Sequence, residues 1–376
     1  MEPSGKLVLM TYNTCQYIYL FRRPLIRHLK ALGYLVVVAA PLDWYAELLW
    51  REDGLIVYGL RHMQGRGMNP IKDLACLAEL VRLYKDLSPF AVLHYTIKPN
   101  IYGSIAARIH GIPAINNVTG LGELFARDSF AQRMVRVLYR RGFSKAYRVF
   151  FQNKDDKDLF LALGLASESN ARLLPGSGVD TAQYAPLPRT GDARRTFLLA
   201  ARLLKQKGIA DYAAAARIAR LSRPELRFLL AGEHDPSDPK MVAASELAAW
   251  QAEGTLEWLG MVRDMKAAYA QADCVVLPTL YREGVPRSLL EAASMAKPLI
   301  ASDSVGAKEP VDEGVNGFLC EPGNPEDLAR AILAIANLPP EQLLAMGAAS
   351  RKRIQDEFEE IVVLESYVKA LAELDE

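Results

Sequence analysis

The sequence predicts an α/β protein built from two doubly wound domains, and three features carry that expectation. Short β-rich runs alternate with helical patterns from one end of the chain to the other. The strand-like runs are continuously apolar, as strands covered by helices on both faces are, so a parallel sheet is expected in each domain. The rhythm breaks at Pro175 to Thr190, where three Pro and two Gly lie among Ser, Thr and Asp, and this is the expected linker.

Leu7-Val8-Leu9-Met10 reads as the first strand. The run from Leu7 to Phe21 carries no charge, but a signal peptide needs a purely apolar centre, and Asn13, Cys15 and Gln16 interrupt this one. A first strand followed by a loop is expected there. Pro24 opens a helix through Leu25, Ile26, His28 and Leu29, which Gly33 ends. Leu35 to Ala39 is the next strand, and Tyr45 to Arg51 a helix. Leu55 to Tyr58, Ala91 to Leu93, Ala114 to Asn117, Val149 to Phe151 and Leu173-Leu174 continue as strands. Helices near Ile71 to Lys85, Asn100 to His110, Ala131 to Gly142 and Asp155 to Leu163 lie between them. Past the linker, strands are expected at Thr196 to Ala200, Leu226 to Ala231, Leu256 to Leu259, Cys274 to Leu277 and Leu299 to Ala301. The domains are therefore placed at residues 1–180 and 181–360. Ligands of such sheets bind beyond the carboxyl ends of the strands, which makes the cleft between domains the expected site.

Composition narrows the function. The 376 residues are 51% hydrophobic and 24% charged, which excludes a disordered, fibrous or disulfide-stapled chain. The net charge of +1 argues against a broadly cationic nucleic-acid binder, yet it conceals an asymmetry. Residues 1–180 hold 23 Lys/Arg and 15 Asp/Glu, and residues 181–376 hold 22 and 29, so the halves carry +8 and −7. Cys15, Cys76, Cys274 and Cys320 are widely spaced, as in a reduced compartment, and form neither a zinc pattern nor a disulfide framework. No run of 18 apolar residues free of charge is present. A cytoplasmic protein is expected.

One segment concentrates chemistry. After the strand ending at Leu277, the chain reads Tyr281-Arg282-Glu283-Gly284-Val285-Pro286-Arg287-Ser288-Leu289-Leu290-Glu291-Ala292. Glu283 sits in a Gly/Pro loop and Glu291 on the helix that follows. A loop of this kind leaves N–H groups of Gly284, Val285, Arg287 and Ser288 at a helix N-terminus, beside Pro286, where a diphosphate is well received. Upstream, Arg202 and Lys207 follow another strand in Ala201-Arg202-Leu203-Leu204-Lys205-Gln206-Lys207-Gly208. Two cations can neutralise a departing pyrophosphate without a metal.

These segments resemble retaining GT-B glycosyltransferases of family 4, whose E-x7-E segment matches Glu283 to Glu291 and whose Arg–Lys pair matches Arg202 and Lys207. Leu229-Leu230-Ala231-Gly232-Glu233, Glu257 to Val262, and Ser304 to Asp312 with Asn316-Gly317-Phe318-Leu319 look like further parts of that family's second domain. The resemblance implies a UDP-sugar donor, no metal or other cofactor, and a C-terminal helix at residues 361–376 that crosses back to the first domain. It implies that Glu283 holds donor-sugar hydroxyls, that Glu291 binds the ribose, and that Met261 and Val262 offer backbone groups to uracil near Gly232. Reaction would occur on the leaving-group face, with the departing phosphate taking the acceptor proton. In the first half, Tyr19 to Pro24, Thr96 to Asn100 and Asn116 to Gly122 look like transferases that extend sugars on polyprenyl diphosphate. Arg22, Arg23 and Lys98 become candidate ligands of the acceptor diphosphate. Many members carry a histidine where this chain has Thr119, and His94 at a strand end is a candidate substitute.

From Arg133 to Arg148 there are six cations, Arg133, Arg136, Arg140, Arg141, Lys145 and Arg148, interleaved with aliphatic and aromatic residues and free of carboxylates. Such a helix suits an anionic bilayer, so peripheral attachment to the inner face of the cytoplasmic membrane is expected. No nucleic-acid motif accompanies it. Three alternatives are a UDP-sugar epimerase of the same fold, a silent subunit that binds lipid-linked sugars, and a dehydrogenase. The last lacks the G-x-G-x-x-G loop after its first strand, where no glycine occurs.

Overall fold

The computed structural model describes residues 5–63, 69–121 and 130–375. The chain divides into two compact units, residues 1–177 with 361–376, and residues 178–360.

The first unit holds strands β1 (Leu7–Thr11), β2 (Leu35–Ala40), β3 (Ile56–Gly59), β4 (Ala91–Tyr95), β5 (Ala114–Val118), β6 (Arg148–Phe151) and β7 (Ala171–Leu173). Its helices are α1 (Cys15–Phe21), α2 (Arg23–Ala31), α3 (Trp44–Asp53), α4 (Pro70–Leu87), α5 (Ser104–Ile109), α6 (Phe130–Phe143) and α7 (Lys154–Ala162). All seven strands pair in parallel, in the order β3-β2-β1-β4-β5-β6-β7. The central strands β1, β4 and β5 are buried almost throughout, which explains their unbroken apolar character. Local signals set the helix ends: Asn69 accepts from the N–H groups of Ile71 and Lys72 ahead of α4, and Asp43 caps α3.

The segment expected to be a loop after the first strand is helix α1. The Thr14 hydroxyl accepts from the Gln16 N–H, and the Asp43 carboxylate accepts from the N–H groups of Cys15 and Gln16. That second acceptor lies 28 residues away in sequence, which is why the local pattern conceals the helix start. The helix expected at Asn100 to His110 is a π-helical turn, Pro99–Gly103, running into α5.

The second unit holds β8 (Thr196–Ala200), β9 (Arg227–Ala231), β10 (Glu257–Trp258), β11 (Cys274–Leu277), β12 (Leu299–Ser302) and β13 (Gly317–Cys320), parallel in the order β10-β9-β8-β11-β12-β13. Helices α8 (Ile209–Arg220), α9 (Ala244–Ala252), α10 (Met265–Gln271), α11 (Arg287–Ser294), α12 (Pro325–Ala336) and α13 (Pro340–Glu357) cover it. The last helix, α14 (Glu360–Ala372), returns the chain to the first unit. There Val363, Tyr367, Ala370 and Leu371 join the apolar core around Val8, Met10, Leu93 and Phe150. Asn117 donates its amide to the Tyr367 hydroxyl at 2.8 Å.

In each sheet the connections reverse direction once, between β1 and β4 in the first unit and between β8 and β11 in the second. A crevice opens at such a switch point beyond the carboxyl ends of the strands. All four cysteines are free and buried. Among the described residues, no helix is long and apolar enough to cross a membrane.

Candidate active site

The switch point of the second unit gathers the turn after β8 and the loop after β11. The first contains Arg202 and a 3-10 turn, Lys205–Lys207, ended by Gly208 at φ 71°. A Cβ on Gly208 would lie 1.9 Å from the Pro278 carbonyl oxygen, so only glycine lets this turn pack on the end of β11. The Gln206 carbonyl accepts from the Leu280 N–H at 2.8 Å and from the Thr279 hydroxyl at 3.2 Å. On its other side the Glu283 loop meets Gly306, at φ 88°, where a Cβ would come within 2.2 Å of the Glu283 oxygen. The Glu283 N–H donates to the Val305 carbonyl at 3.1 Å. Three chain segments distant in sequence are thereby fixed around Glu283.

Lys207 Nζ and the Glu283 carboxylate form an ion pair in which both side chains are 12% exposed. Burial works against the Lys207 charge, but Glu283 outweighs it, and the ammonium is held above its ordinary pKa. Arg202, exposed on the preceding turn, acts on Lys207 in the opposite sense, so the two cations share one crevice. The Lys207 ammonium also lies 5.6 Å from the centre of the Tyr281 ring.

Helix α11 points its N-terminus into the same place. The N–H groups of Leu289 and Leu290 donate back to the Pro286 carbonyl, at 3.2 and 3.3 Å. Those of Gly284, Val285, Arg287 and Ser288 donate to no backbone carbonyl among the described residues. They form a set of donors suited to an anion. Glu291, by contrast, is turned inward. It is 8% exposed and accepts from the Tyr269 hydroxyl at 3.0 Å and from Arg287 Nε at 2.9 Å. These two bonds tie its carboxylate to α10 and to the first turn of α11. The β9 and β10 ends are tied by the Gly232 N–H to Gly260 carbonyl bond at 2.9 Å, and Trp258 Nε1 donates to the Gly232 carbonyl. Met261 is 58% exposed there, with Val262 half-buried beside it. Among the described residues no three His, Cys, Asp or Glu side chains are grouped as a metal would need.

The candidates of the first unit fare unequally. Arg23 is held by Glu52 and Asp53, both at 2.7 Å, and Lys98 by Asp73 at 2.8 Å, so neither is an open cation. Arg22 is buried, with its guanidinium over the Tyr95 ring. Thr119 is half-buried after β5. The structure corrects the reading of His94 as a substitute sugar ligand. Its ring is fully buried, with Nε2 2.8 Å from the Tyr84 hydroxyl and Nδ1 3.0 Å from Asn116 Oδ1. Burial pushes its pKa down to about 4, so it is a neutral core histidine.

The basic segment is also corrected. Arg133, Arg136, Arg140 and Arg141 lie on α6, but Lys145 lies beyond its end and Arg148 opens β6, where it pairs with Glu373 at 2.5 Å. The buried face of α6 is Val135, Tyr139 and Phe143, while Arg133, Met134, Val137, Arg140 and Arg141 are exposed.

The sequence placed Ser304 at the start of the Ser304 to Asp312 segment but assigned it no role; its buried hydroxyl has no hydrogen-bond partner among the described residues, and it begins the turn holding Glu283.

Two family models match the chain, one to each unit: a glycosyl transferase 4-like domain over residues 21–176 and glycosyl transferases group 1 over residues 194–337. The chain is 27% identical over 371 residues to the N,N'-diacetylbacillosaminyl-diphospho-undecaprenol alpha-1,3-N-acetylgalactosaminyltransferase of Campylobacter jejuni, covering 94% of each chain. It is 26% identical to the UDP-Gal:alpha-D-GlcNAc-diphosphoundecaprenol alpha-1,3-galactosyltransferase of Escherichia coli, covering 72% of this chain and 73% of that one. Among solved structures, Anabaena Alr3699/HepE in complex with UDP and glucose superposes with a TM-score of 0.79 at 18% identity, covering 98% of this chain and 100% of that one. A glycosyltransferase from Rickettsia africae gives 0.78 at 17% identity, covering 99% of each. With a family model on each unit and a relative matched nearly end to end, the chain belongs to the GT-B glycosyltransferases of the group 1 and 4-like families.

Proposed function

We propose that this protein transfers a hexose or N-acetylhexosamine from a UDP-sugar to a sugar carried on polyprenyl diphosphate, with retention at the anomeric carbon, in the assembly of a bacterial glycan. The observation that carries the reading is the crevice of the second unit, where Lys207 and Arg202 meet the open N–H groups before α11 and Glu283 is locked beside them. Two cations and a helix N-terminus supply what a departing diphosphate needs, so no metal is required. Glu283 accepts from hydroxyls of the donor sugar, and Met261 and Val262 border the base. The acceptor hydroxyl attacks the anomeric carbon on the face that the phosphate leaves. The C–O bond to phosphate breaks, its electron pair departs with UDP, and the acceptor proton passes to the leaving phosphate oxygen. The acceptor class follows the two named relatives, both of which act on diphosphoundecaprenol-linked sugars. The protein works at the inner membrane face, attached peripherally through α6. Incubation with radiolabelled UDP-sugars and bacterial membrane lipid extract tests this: label is expected in the lipid-linked fraction. Conversion of the donor alone, with no lipid product, would point to the epimerase instead.

A further inference from the structure

The switch point of the first unit, between β1 and β4, gathers polar atoms that lack partners. Arg22 Nε, Asn13 Oδ1 and Thr96 Oγ1 are all sealed from solvent and form no hydrogen bond among the described residues. Asn13 lies just past β1, Thr96 just past β4, and Arg22 joins α1 to α2. Thr96 has a φ of 69°, a costly conformation for a β-branched residue, and it stands at the crevice edge.

Arg22 is the unusual member. It is 3% exposed, and its guanidinium carbon lies 4.4 Å from the centre of the Tyr95 ring. Tyr95 in turn stacks on Tyr12 at 5.2 Å with 12° between planes. Aromatic faces steady a cation without neutralising it. No carboxylate pairs with Arg22 among the described residues, whereas its neighbour Arg23 is gripped by two. Arginines that serve only the fold of this protein behave differently: Arg351 donates to the carbonyls of Thr181, Tyr184 and Ser294, and Arg189 clasps Asp273. A buried cation left with an idle donor and no counter-charge is costly unless an anion joins it.

We propose that Arg22 is the anion anchor of the acceptor site. Its planar guanidinium, oriented by Tyr95, takes a phosphoryl group together with the Thr96 hydroxyl, and Asn13 Oδ1 accepts from a hydroxyl of the attached sugar. Arg23 and Lys98 take no part. The assignment deepens the function proposed above and rests on it for the identity of the ligand as a diphosphate-linked sugar.

The test uses the full chain saturated with UDP, so that the donor site is filled, and inorganic pyrophosphate as probe in a titration calorimeter. Pyrophosphate is expected to bind, and Arg22→Gln to weaken it about 10- to 100-fold, the effect of one charge-assisted contact. Thr96→Val weakens it severalfold, Arg27→Gln on the exposed face of α2 leaves it unchanged, and UDP affinity is the same in all. Should Arg22→Gln not fold, Arg22→Lys carries the same reading, because it keeps the charge but lacks Nε–H and the planar fork. Undiminished pyrophosphate binding in a folded Arg22 variant overturns the proposal, as does a wild-type protein that binds none. With lipid-linked acceptor, Arg22→Lys raises the acceptor KM and spares the donor KM; an unchanged acceptor KM overturns the anchor while the transferase stands. Pyrophosphate bound through Arg22, with no sugar transfer to lipid, overturns the transferase while the anchor stands.

Discussion

Single side chains divide into those that face the crevice and those that only hold the fold. Arg202 and Glu283 are of the first kind. Replacing either by Ala lowers kcat by about 10²- to 10³-fold, the usual cost of one preorganised group at a site of charge development. Steady-state turnover with a UDP-sugar checks this, and near-wild-type rates in both variants would sink the site assignment. His94 is of the second kind, and it makes stability depend on pH. Its folded pKa of about 4 lies below the ordinary 6.5, so between those values the unfolded chain binds a proton that the folded chain does not. Stability is therefore full above pH 6.5 and falls as pH drops towards 4, by up to about 3 kcal/mol from this group. Urea midpoints measured across that range should show the slope, and a His94→Gln variant, neutral throughout, should lose that part of it. That Lys207 and Glu283 each carry chemistry was legible because each sits in a contiguous motif, but their ion pair was not, since it joins residues 76 positions apart. The burial of His94 was not, because it depends on Gly103, where a Cβ would lie 2.5 Å from the imidazole, and on Asn116 from the next strand. Nothing near His94 in sequence announces either neighbour.

At the scale of elements, α6 shows how a pattern is half right. Its basic residues interleaved with apolar ones were readable from the sequence, and the structure buries Val135, Tyr139 and Phe143 among them. The extent of the basic face was not, since the helix ends at Phe143 and Arg148 is consumed by Glu373, just past α14 and 225 residues away. Each cation near an anionic surface is worth about 1 kcal/mol, so reversing two charges in Arg140→Glu/Arg141→Glu should weaken vesicle binding at least about 100-fold. Sedimentation with phosphatidylglycerol vesicles at low and physiological salt checks this, and binding that does not fall as salt rises removes α6 from the membrane role. Helix α11 illustrates the reverse. Its position after the Gly/Pro loop was plain from sequence, but the bonds that hold Glu291, from the Tyr269 hydroxyl of α10 and from Arg287 Nε, were not. Spacing fixes which helix face a residue occupies; the packing of α10 decided what that face meets.

Over the whole molecule, α14 is the element that no local signal locates. Tyr367 is fully buried in the first unit, 5.0 Å from the Phe150 ring and 6.3 Å from that of Tyr95, and it receives the Asn117 amide. Tyr367→Ala should cost about 3–5 kcal/mol, from a lost aromatic and the cavity it leaves. Calorimetry should show the melting of the first unit lowered and that of the second unmoved. The charge asymmetry of the halves takes on a sharper meaning: within the basic unit many cations are already paired, and Arg22 stands out as the one held by aromatic faces without a carboxylate among the described residues. The two-unit α/β plan, the strand order of events along the chain and the donor motifs were determined by the sequence alone, because periodicity, turn chemistry and contiguous motifs are local properties. Which polar groups lie open and which are buried or neutralised was decided only by the tertiary structure, because burial and ion pairing join residues tens to hundreds of positions apart.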